Sequence, residues 1–177
     1  MLLGEAGFEA VVAAHHGEIY RYLRRLAARA AEADDLSQET FLRAYRARER
    51  LTPDANVRAW LFAIATNVFR NHLRSERRRR AAHDTVRATR READPDGPEA
   101  QAVAGEVRTL AEAAIRGLPL KQRLAFTMRK MHDLDYDVIG QSLECSPESA
   151  RAHVFQALRK VRQTLNGHQL LFTEPTR

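Results

Sequence analysis

Apolar residues recur every three or four positions along most of the chain, which is the spacing of the buried face of an α-helix. The first such face is formed by Phe8, Val12, Ile19, Leu23 and Leu26. No segment alternates apolar and polar residues in the way that a half-buried strand does. The pattern therefore predicts an all-α fold.

Two further helices are predicted in the first half. The second helix is expected to begin at Asp34-Asp35, because an aspartate accepts hydrogen bonds from free first-turn amides and Gln38 has the spacing of a capping box. Leu51-Thr52-Pro53 ends this helix, and Asn56 caps a long third one that runs into four successive arginines, residues 77–80. Its apolar stripe consists of Val57, Trp60, Leu61, Ile64, Ala65, Val68 and Leu73.

The helical pattern is interrupted over residues 82–104. Residues 93–98 contain two prolines, a glycine and no apolar residue larger than alanine. Such a segment cannot bury enough surface to offset its conformational entropy, so we expect a flexible linker. This linker would separate two small helical domains, residues 1–81 and 105–167, with a C-terminal tail at residues 168–177.

The second domain has the spacing of a helix-turn-helix. Helices are predicted over residues 120–131 and 136–143, and after a turn at Glu144-Cys145 a longer helix starts at Ser146-Pro147 and closes at Asn166-Gly167. In this motif the second helix enters the DNA major groove. A plain helical hairpin with a solvated face has the same spacing, so spacing alone leaves both interpretations open. The outward positions are Glu148, Ser149, Arg151, Ala152, His153, Gln156 and Arg159.

The charge balance favours an acidic partner. The chain has 29 Lys and Arg against 23 Asp and Glu, a formal net charge of +6. Part of this excess lies on the third helix, where arginines attract phosphate and asparagines can hydrogen-bond base edges. Four arginines in a row exceed what complementing the helix dipole requires, so we predict nucleic-acid binding there.

The second helix carries an acidic face in this basic protein. Asp35, Gln38, Glu39 and Leu42 recur at steps of three and four, which places them on one side of a helix. Helix capping explains one aspartate, but it explains neither Glu39 nor an exposed Leu42. We therefore expect a protein partner on this face.

The acidic face, the arginine-rich third helix and the helix-turn-helix follow one another along the chain. In this order they resemble the extracytoplasmic-function branch of the sigma-70 family of bacterial transcription initiation factors. Residues 34–44 are similar to the family's region 2.2, residues 56–67 with Asn71 and Arg74 to regions 2.3 and 2.4, and the segment from Leu118 through the helix-turn-helix to region 4. The resemblance extends from about Phe8 to Leu165.

The chain departs from the family's pattern at three places. Members often carry an aspartate a few residues beyond the position of Asn71, where this chain has Arg74. Val138-Ile139-Gly140 stands where many members have Glu-Ile-Ala, and residues 148–153 replace a frequent Gly-Thr-Val-Lys-Ser-Arg. These changes retain the helical phase and bear on which promoter sequence is read.

The resemblance implies an RNA polymerase sigma factor that directs promoter recognition and DNA melting and is controlled by an anti-sigma factor. Core polymerase would bind through its β′ clamp helices and its β subunit, and the loop at residues 50–55 would hold a flipped base. The residues implied to bind core polymerase are Asp35, Leu36, Gln38, Glu39 and Leu42. Those implied to bind the single-stranded −10 element are Asn67, Arg70, Asn71, Arg74 and Arg77. Those implied to bind the duplex −35 element are Arg123, Ser149, Arg151, His153, Gln156 and Arg159.

No catalytic or metal-binding constellation is recognisable. His15-His16 are sequence neighbours that point roughly 100° apart on a helix, and Cys145, the single cysteine, cannot form an internal disulfide. With no signal peptide and no membrane helix, we expect a cytoplasmic protein without enzymatic activity, cofactor or metal. The alternatives are a stand-alone helix-turn-helix regulator that binds operator DNA as a dimer, and an interaction protein whose basic surface binds RNA.

Overall fold

A computed structural model describes residues 5–52, 54–83 and 102–172, and these residues are almost entirely helical. They contain no strand, which confirms the all-α prediction. The chain divides into two compact units, one with α1 to α3 and one with most of α4 to α7. The helices are α1 (Glu5–Leu26), α2 (Ala30–Ala47), α3 (Val57–His83), α4 (Ala102–Arg116), α5 (Leu120–Met131), α6 (Tyr136–Leu143) and α7 (Pro147–Phe172), with a 3₁₀ turn at Arg48–Arg50.

In the first unit, polar contacts as well as apolar packing hold α3 against α1 and α2. The buried Tyr22 and Thr66 hydroxyls are hydrogen-bonded at 2.9 Å, and the Arg58 guanidinium donates to both Glu18 carboxylate oxygens. Because these partners lie on one side of α3, its opposite side is left exposed. The largest fully buried side chains of this unit are Ile19, Tyr22, Leu23, Leu61, Phe62 and Phe69.

The predicted start of α2 at Asp34-Asp35 is wrong. The helix begins at Ala30, four residues earlier, and the Glu32 carboxylate accepts a hydrogen bond from the Ala28 amide at 2.9 Å. A second Glu32 oxygen lies 2.7 Å from His72 Nε2 on α3, so the same side chain ties the helix start to the bundle. Asp34 and Asp35 therefore lie inside the helix, where they cap nothing.

The ends of α3, α4 and α7 also differ from the predictions. Helix α3 continues to His83 and α4 begins at Ala102, so the predicted linker is helical at both of its ends, and residues 84–101 lie outside the described residues. Helix α7 continues through Gly167 to Phe172, because Gly167 does not adopt the positive φ of a helix-ending glycine. The rest of the predicted tail, residues 173–177, lies outside the described residues.

The helix-turn-helix prediction is confirmed for the bounds of α5 and α6 and for the start of α7. Helices α5 and α6 span the predicted residues, and the Ser146 hydroxyl accepts a hydrogen bond from the Ser149 amide at 3.2 Å, as an N-cap does. In the turn, Glu144 has a φ of 54°, and the Cys145 amide donates to the Gly140 carbonyl at 2.9 Å. Buried apolar residues beneath the motif include Leu124, Met128, Ile139, Leu143, Val154 and Ala157.

We expect Gly140→Ala to destabilise the second unit. A Cβ atom at Gly140 would lie 2.7 Å from the Cys145 carbonyl oxygen and 3.2 Å from the Pro147 nitrogen, and both are backbone atoms that cannot move aside without distorting the turn. Overpacking of this kind costs about 1–3 kcal/mol, which chemical denaturation followed by circular dichroism measures. Gly167→Ala is the matched control, because no atom lies within 4 Å of its added Cβ, and it should leave stability unchanged or raise it. Equal stability of the two variants would contradict the close approach at Gly140.

Candidate nucleic-acid and protein interfaces

The acidic face of α2 is formed by the exposed Asp35, Gln38 and Leu42 and the half-buried Glu39. Leu42 retains 46% of its accessible surface, so its apolar side chain is available for contact with a partner. Glu39 forms an ion pair with Arg43 at 2.6 Å on the same helix. Because Asp35 serves no capping role, its exposed carboxylate is available to a partner. Leu36 is only 5% exposed, so it belongs to the core beneath this face.

An apolar groove of about 580 Å³ runs beside the acidic face, between α1 and α2. The Ser37 side chain lines it, is 2% exposed, and has no hydrogen-bond partner among the described residues. Sequence reasoning missed this groove because part of its wall comes from α1, where Phe8, Val12 and His16 recur at intervals of four. The groove could accept an apolar side chain with a polar end. Its lining also includes Asp34, Asp35, Gln38, Phe41, Leu42 and Tyr45.

The side of α3 that faces away from the bundle carries the residues predicted to contact the −10 element. Asn67, Asn71, Arg74 and Arg77 are exposed, and Arg70 is half-buried. Arg74 Nη1 lies 3.5 Å from Asn71 Oδ1, which is a weak contact that leaves both side chains available. We call this surface the amide-arginine face.

The arginine run at the end of α3 divides into paired and unpaired cations. Arg79 and Arg80 lie 3.7 Å and 3.3 Å from the Glu76 carboxylate. Arg77 and Arg78 form no ion pair with any residue that the structure describes. Arg78 continues the amide-arginine face, since it follows Arg74 by four positions, and it was absent from the residues predicted individually.

The loop between α2 and α3 leads into the N-terminal end of α3, the helix that carries the amide-arginine face further along. The predicted N-cap is confirmed, because Asn56 Oδ1 accepts a hydrogen bond from the Ala59 amide at 3.0 Å. The Ala55 amide donates to the Thr52 carbonyl at 3.0 Å, which closes a turn just before the cap. The loop thereby fixes the direction in which α3 starts.

The outward side of α7 carries most of the residues predicted to contact the −35 element. Ser149, Arg151, Gln156 and Arg159 are exposed, whereas His153 and, on α5, Arg123 are half-buried. Gln156 Oε1 accepts a hydrogen bond from Gln122 Nε2 at 2.7 Å, so this contact with α5 orients the side-chain amide of Gln156.

Phe155 is the functional candidate on α7 that sequence reasoning missed. Its side chain is 66% exposed on the outward side, between the exposed Ala152 and Arg159 at helical spacing. An aromatic side chain so exposed contributes little to the core, and its ring is available for contact with a partner. The sequence signal that could have identified Phe155 was its position among the outward-facing residues of α7.

Two titratable groups on α7 have shifted pKa values. Hydrogen bonds from its own backbone amide and from Ser146 lower the pKa of Glu148, so this side chain is ionised at neutral pH. Burial lowers the pKa of His153 and the nearby Lys121 charge lowers it further, so His153 is neutral at pH 7. A neutral imidazole can accept as well as donate a hydrogen bond.

The described part of the chain offers no cluster of three or more His, Cys, Asp or Glu side chains placed to hold a metal ion. None of its helices combines the length and apolar character needed to cross a bilayer. Cys145 is unpaired and half-buried in the helix-turn-helix turn.

Comparison with known proteins relates both units to transcription factors. Residues 11–80 match the family model for sigma-70 region 2, and residues 108–161 match that for sigma-70 region 4. The RNA polymerase sigma-H factor of Pseudomonas aeruginosa is 30% identical over 166 residues, which cover 89% of this chain and 86% of that protein. The ECF RNA polymerase sigma-E factor of Escherichia coli K12 is 29% identical over 133 residues, 71% of this chain and 70% of the relative.

Two solved structures share the fold. The sigma factor RpoE of Bartonella quintana, in complex with the anti-sigma factor NepR, superposes with a TM-score of 0.75 at 19% identity and covers 90% of this chain and 96% of that one. CnrH, in complex with the cytosolic domain of CnrY, gives a TM-score of 0.68 at 20% identity and covers 93% and 90%.

Proposed function

The chain belongs to the extracytoplasmic-function sigma factors of the sigma-70 family, and from this we propose how its surfaces divide the work of transcription initiation. As such a factor it directs RNA polymerase to promoters. The alternative of a stand-alone helix-turn-helix regulator is not favoured, because region 2 as well as region 4 is present. The observation that supports this division most is the acidic face of α2, where Asp35 is exposed and does not cap its own helix.

Core RNA polymerase binds the acidic face and the adjoining groove. Asp35, Gln38 and Glu39 provide acceptors for a basic surface, and Leu42 provides an exposed apolar contact at the edge of the groove. Leu36 supports this surface from the core. The partner elements are the β′ clamp helices and the β subunit.

The amide-arginine face of α3 holds the −10 segment as a single strand. Opening a duplex costs about 1–2 kcal/mol per base-pair step, so melting requires compensating contacts to the separated strand. The Asn67 and Asn71 amides can pair with exposed base edges, while Arg70, Arg74 and Arg77 neutralise phosphates. The loop at residues 50–55 receives a flipped base next to this face.

Helix α7 reads the −35 element in the major groove. Arg151 has the donors to read guanine, Gln156 can read adenine, and the exposed Phe155 can pack against a thymine methyl group. Ser149 and His153 hydrogen-bond bases or phosphates, and Arg123 and Arg159 contact the backbone. Residues 82–104 connect the two domains, 1–81 and 105–167, so that both promoter elements can be reached.

The remaining assignments follow from this role. The factor has no catalytic centre or cofactor of its own and uses the catalysis of RNA polymerase, with which it shares the cytoplasm. The Bartonella quintana relative is held by the anti-sigma factor NepR, and we infer that an anti-sigma factor likewise controls this chain.

A gel-shift experiment tests the proposal against a dimeric regulator. The purified chain alone should shift duplex promoter DNA weakly, and addition of core polymerase should produce a tight, promoter-specific complex, because two small basic surfaces on one chain give little affinity by themselves. Tight binding of the chain alone, with preference for palindromic DNA, would favour the regulator instead.

A further inference from the structure

Two arginines from different helices lie over the ring of Tyr136. The guanidinium carbon of Arg151, on α7, is 5.0 Å from the ring centroid, and that of Arg129, on α5, is 5.2 Å away. Both distances are within the range of cation–π interactions. Tyr136 is the half-buried first residue of α6, so its ring connects the three helices of the DNA-binding motif.

Arg129 is the anchored member of this cluster. Its guanidinium donates to the Asp133 carboxylate and to the Leu134 carbonyl, each at 3.1 Å, and lies 3.9 Å from Asp135. The turn brings Asp133 to this position through a left-handed backbone conformation, with a φ of 49°. The turn therefore holds the Arg129 guanidinium in a fixed position over the Tyr136 ring.

Arg151, in contrast, depends on the ring for its orientation. It is exposed, and within the described residues its guanidinium forms no hydrogen bond or ion pair, although the charge of Glu148 acts on it. A cation–π contact does not use the guanidinium N–H groups in hydrogen bonds to an acceptor, and those are the groups that read guanine. The ring thus restricts the side chain without occupying its donors.

We propose that Tyr136 is a positioning residue that orients Arg151 for base recognition in the −35 element. This inference rests on the proposed function, in which Arg151 contacts a base. Restricting a long side chain before binding lowers the entropy lost on binding, which favours the base that matches the held geometry. Removal of the ring should therefore weaken base discrimination more than overall binding.

The experiment uses holoenzyme, assembled from the full chain and core RNA polymerase, on promoters in which each −35 position is substituted in turn. Arg151→Ala identifies the position at which Arg151 discriminates. Tyr136→Leu should reduce discrimination at that same position about two- to five-fold, the range expected for an exposed cation–π contact. Tyr136→Phe retains the ring and should keep the wild-type base preference even if overall transcription falls.

The double variant Tyr136→Leu/Arg151→Ala separates positioning from folding. If the ring acts through Arg151, Tyr136→Leu will not change the base preference further once Arg151 is absent. Two results would overturn the positioning role of Tyr136 and leave the proposed function standing. One is unchanged base discrimination in Tyr136→Leu. The other is an equal loss of transcription on all −35 sequences, with and without Arg151. An Arg151→Ala variant with the wild-type base preference at every position would overturn the base-reading role of Arg151, and the inference with it.

Discussion

Asp35→Lys/Leu42→Ala should weaken binding of the chain to core RNA polymerase by about 100-fold or more. Truncation of a central interface residue costs about 2 kcal/mol or more, and a reversed charge adds repulsion, so a combined loss near 3 kcal/mol is expected. Both side chains are exposed, and neither supports the fold, so the free chain should remain as stable as wild type. Titration of labelled chain with core polymerase measures the dissociation constant.

Asp54→Lys/Met131→Ala is the matched control for this result. It changes one exposed aspartate and one exposed apolar residue, Met131 at 40% exposure, that lie outside the acidic face and its groove. Its affinity for core polymerase should equal that of wild type. Equal affinities of the two double variants would remove the assignment of the acidic face to polymerase binding.

Asn67→Ala/Asn71→Ala should lower the yield of open promoter complexes by at least about tenfold. A good side-chain contact to a base is worth about 1–3 kcal/mol, and both amides are exposed and free to make such contacts. Because neither residue lies on the acidic face, affinity for core polymerase should not change. Permanganate reactivity of unpaired thymines in the −10 segment measures the opening directly.

Asn166→Ala provides the control for this second result. It removes an exposed asparagine from α7, outside the amide-arginine face, and should leave promoter opening at the wild-type level. If the double variant opens promoters as well as this control does, then α3 does not capture the separated strand through its asparagines.

Local signals in the sequence determined which helix ends could be predicted. Ser146-Pro147 fixes the start of α7, since a capping hydroxyl followed by proline admits few alternatives. The start of α2 was predicted too late because Asp34-Asp35 has the composition of a cap, whereas Glu32 makes the contact. Gly167 does not end α7, since it does not adopt the positive φ that a helix-ending glycine uses and the helix runs on to Phe172.

Tertiary contacts account for what the sequence could not predict about the surfaces. The groove exists because Phe8 and Val12 of α1 line the same depression as Phe41 of α2, which is some thirty positions away in the chain. The cluster around Tyr136 brings together Arg129 and Arg151 from different helices, and no spacing rule links them. The sequence shows which side chains share a face of one helix. Which residues of different helices come together depends on the tertiary structure.

Run-off transcription with purified core polymerase tests the central claim most directly. Core polymerase alone should produce no promoter-specific transcript from a library of bacterial promoters. Addition of the chain should produce discrete transcripts from a subset that shares −35 and −10 sequences, because the acidic face binds the enzyme while α3 and α7 contact the DNA. Failure of the folded chain to direct any promoter-specific transcript with the core enzyme of its own organism would contradict the account.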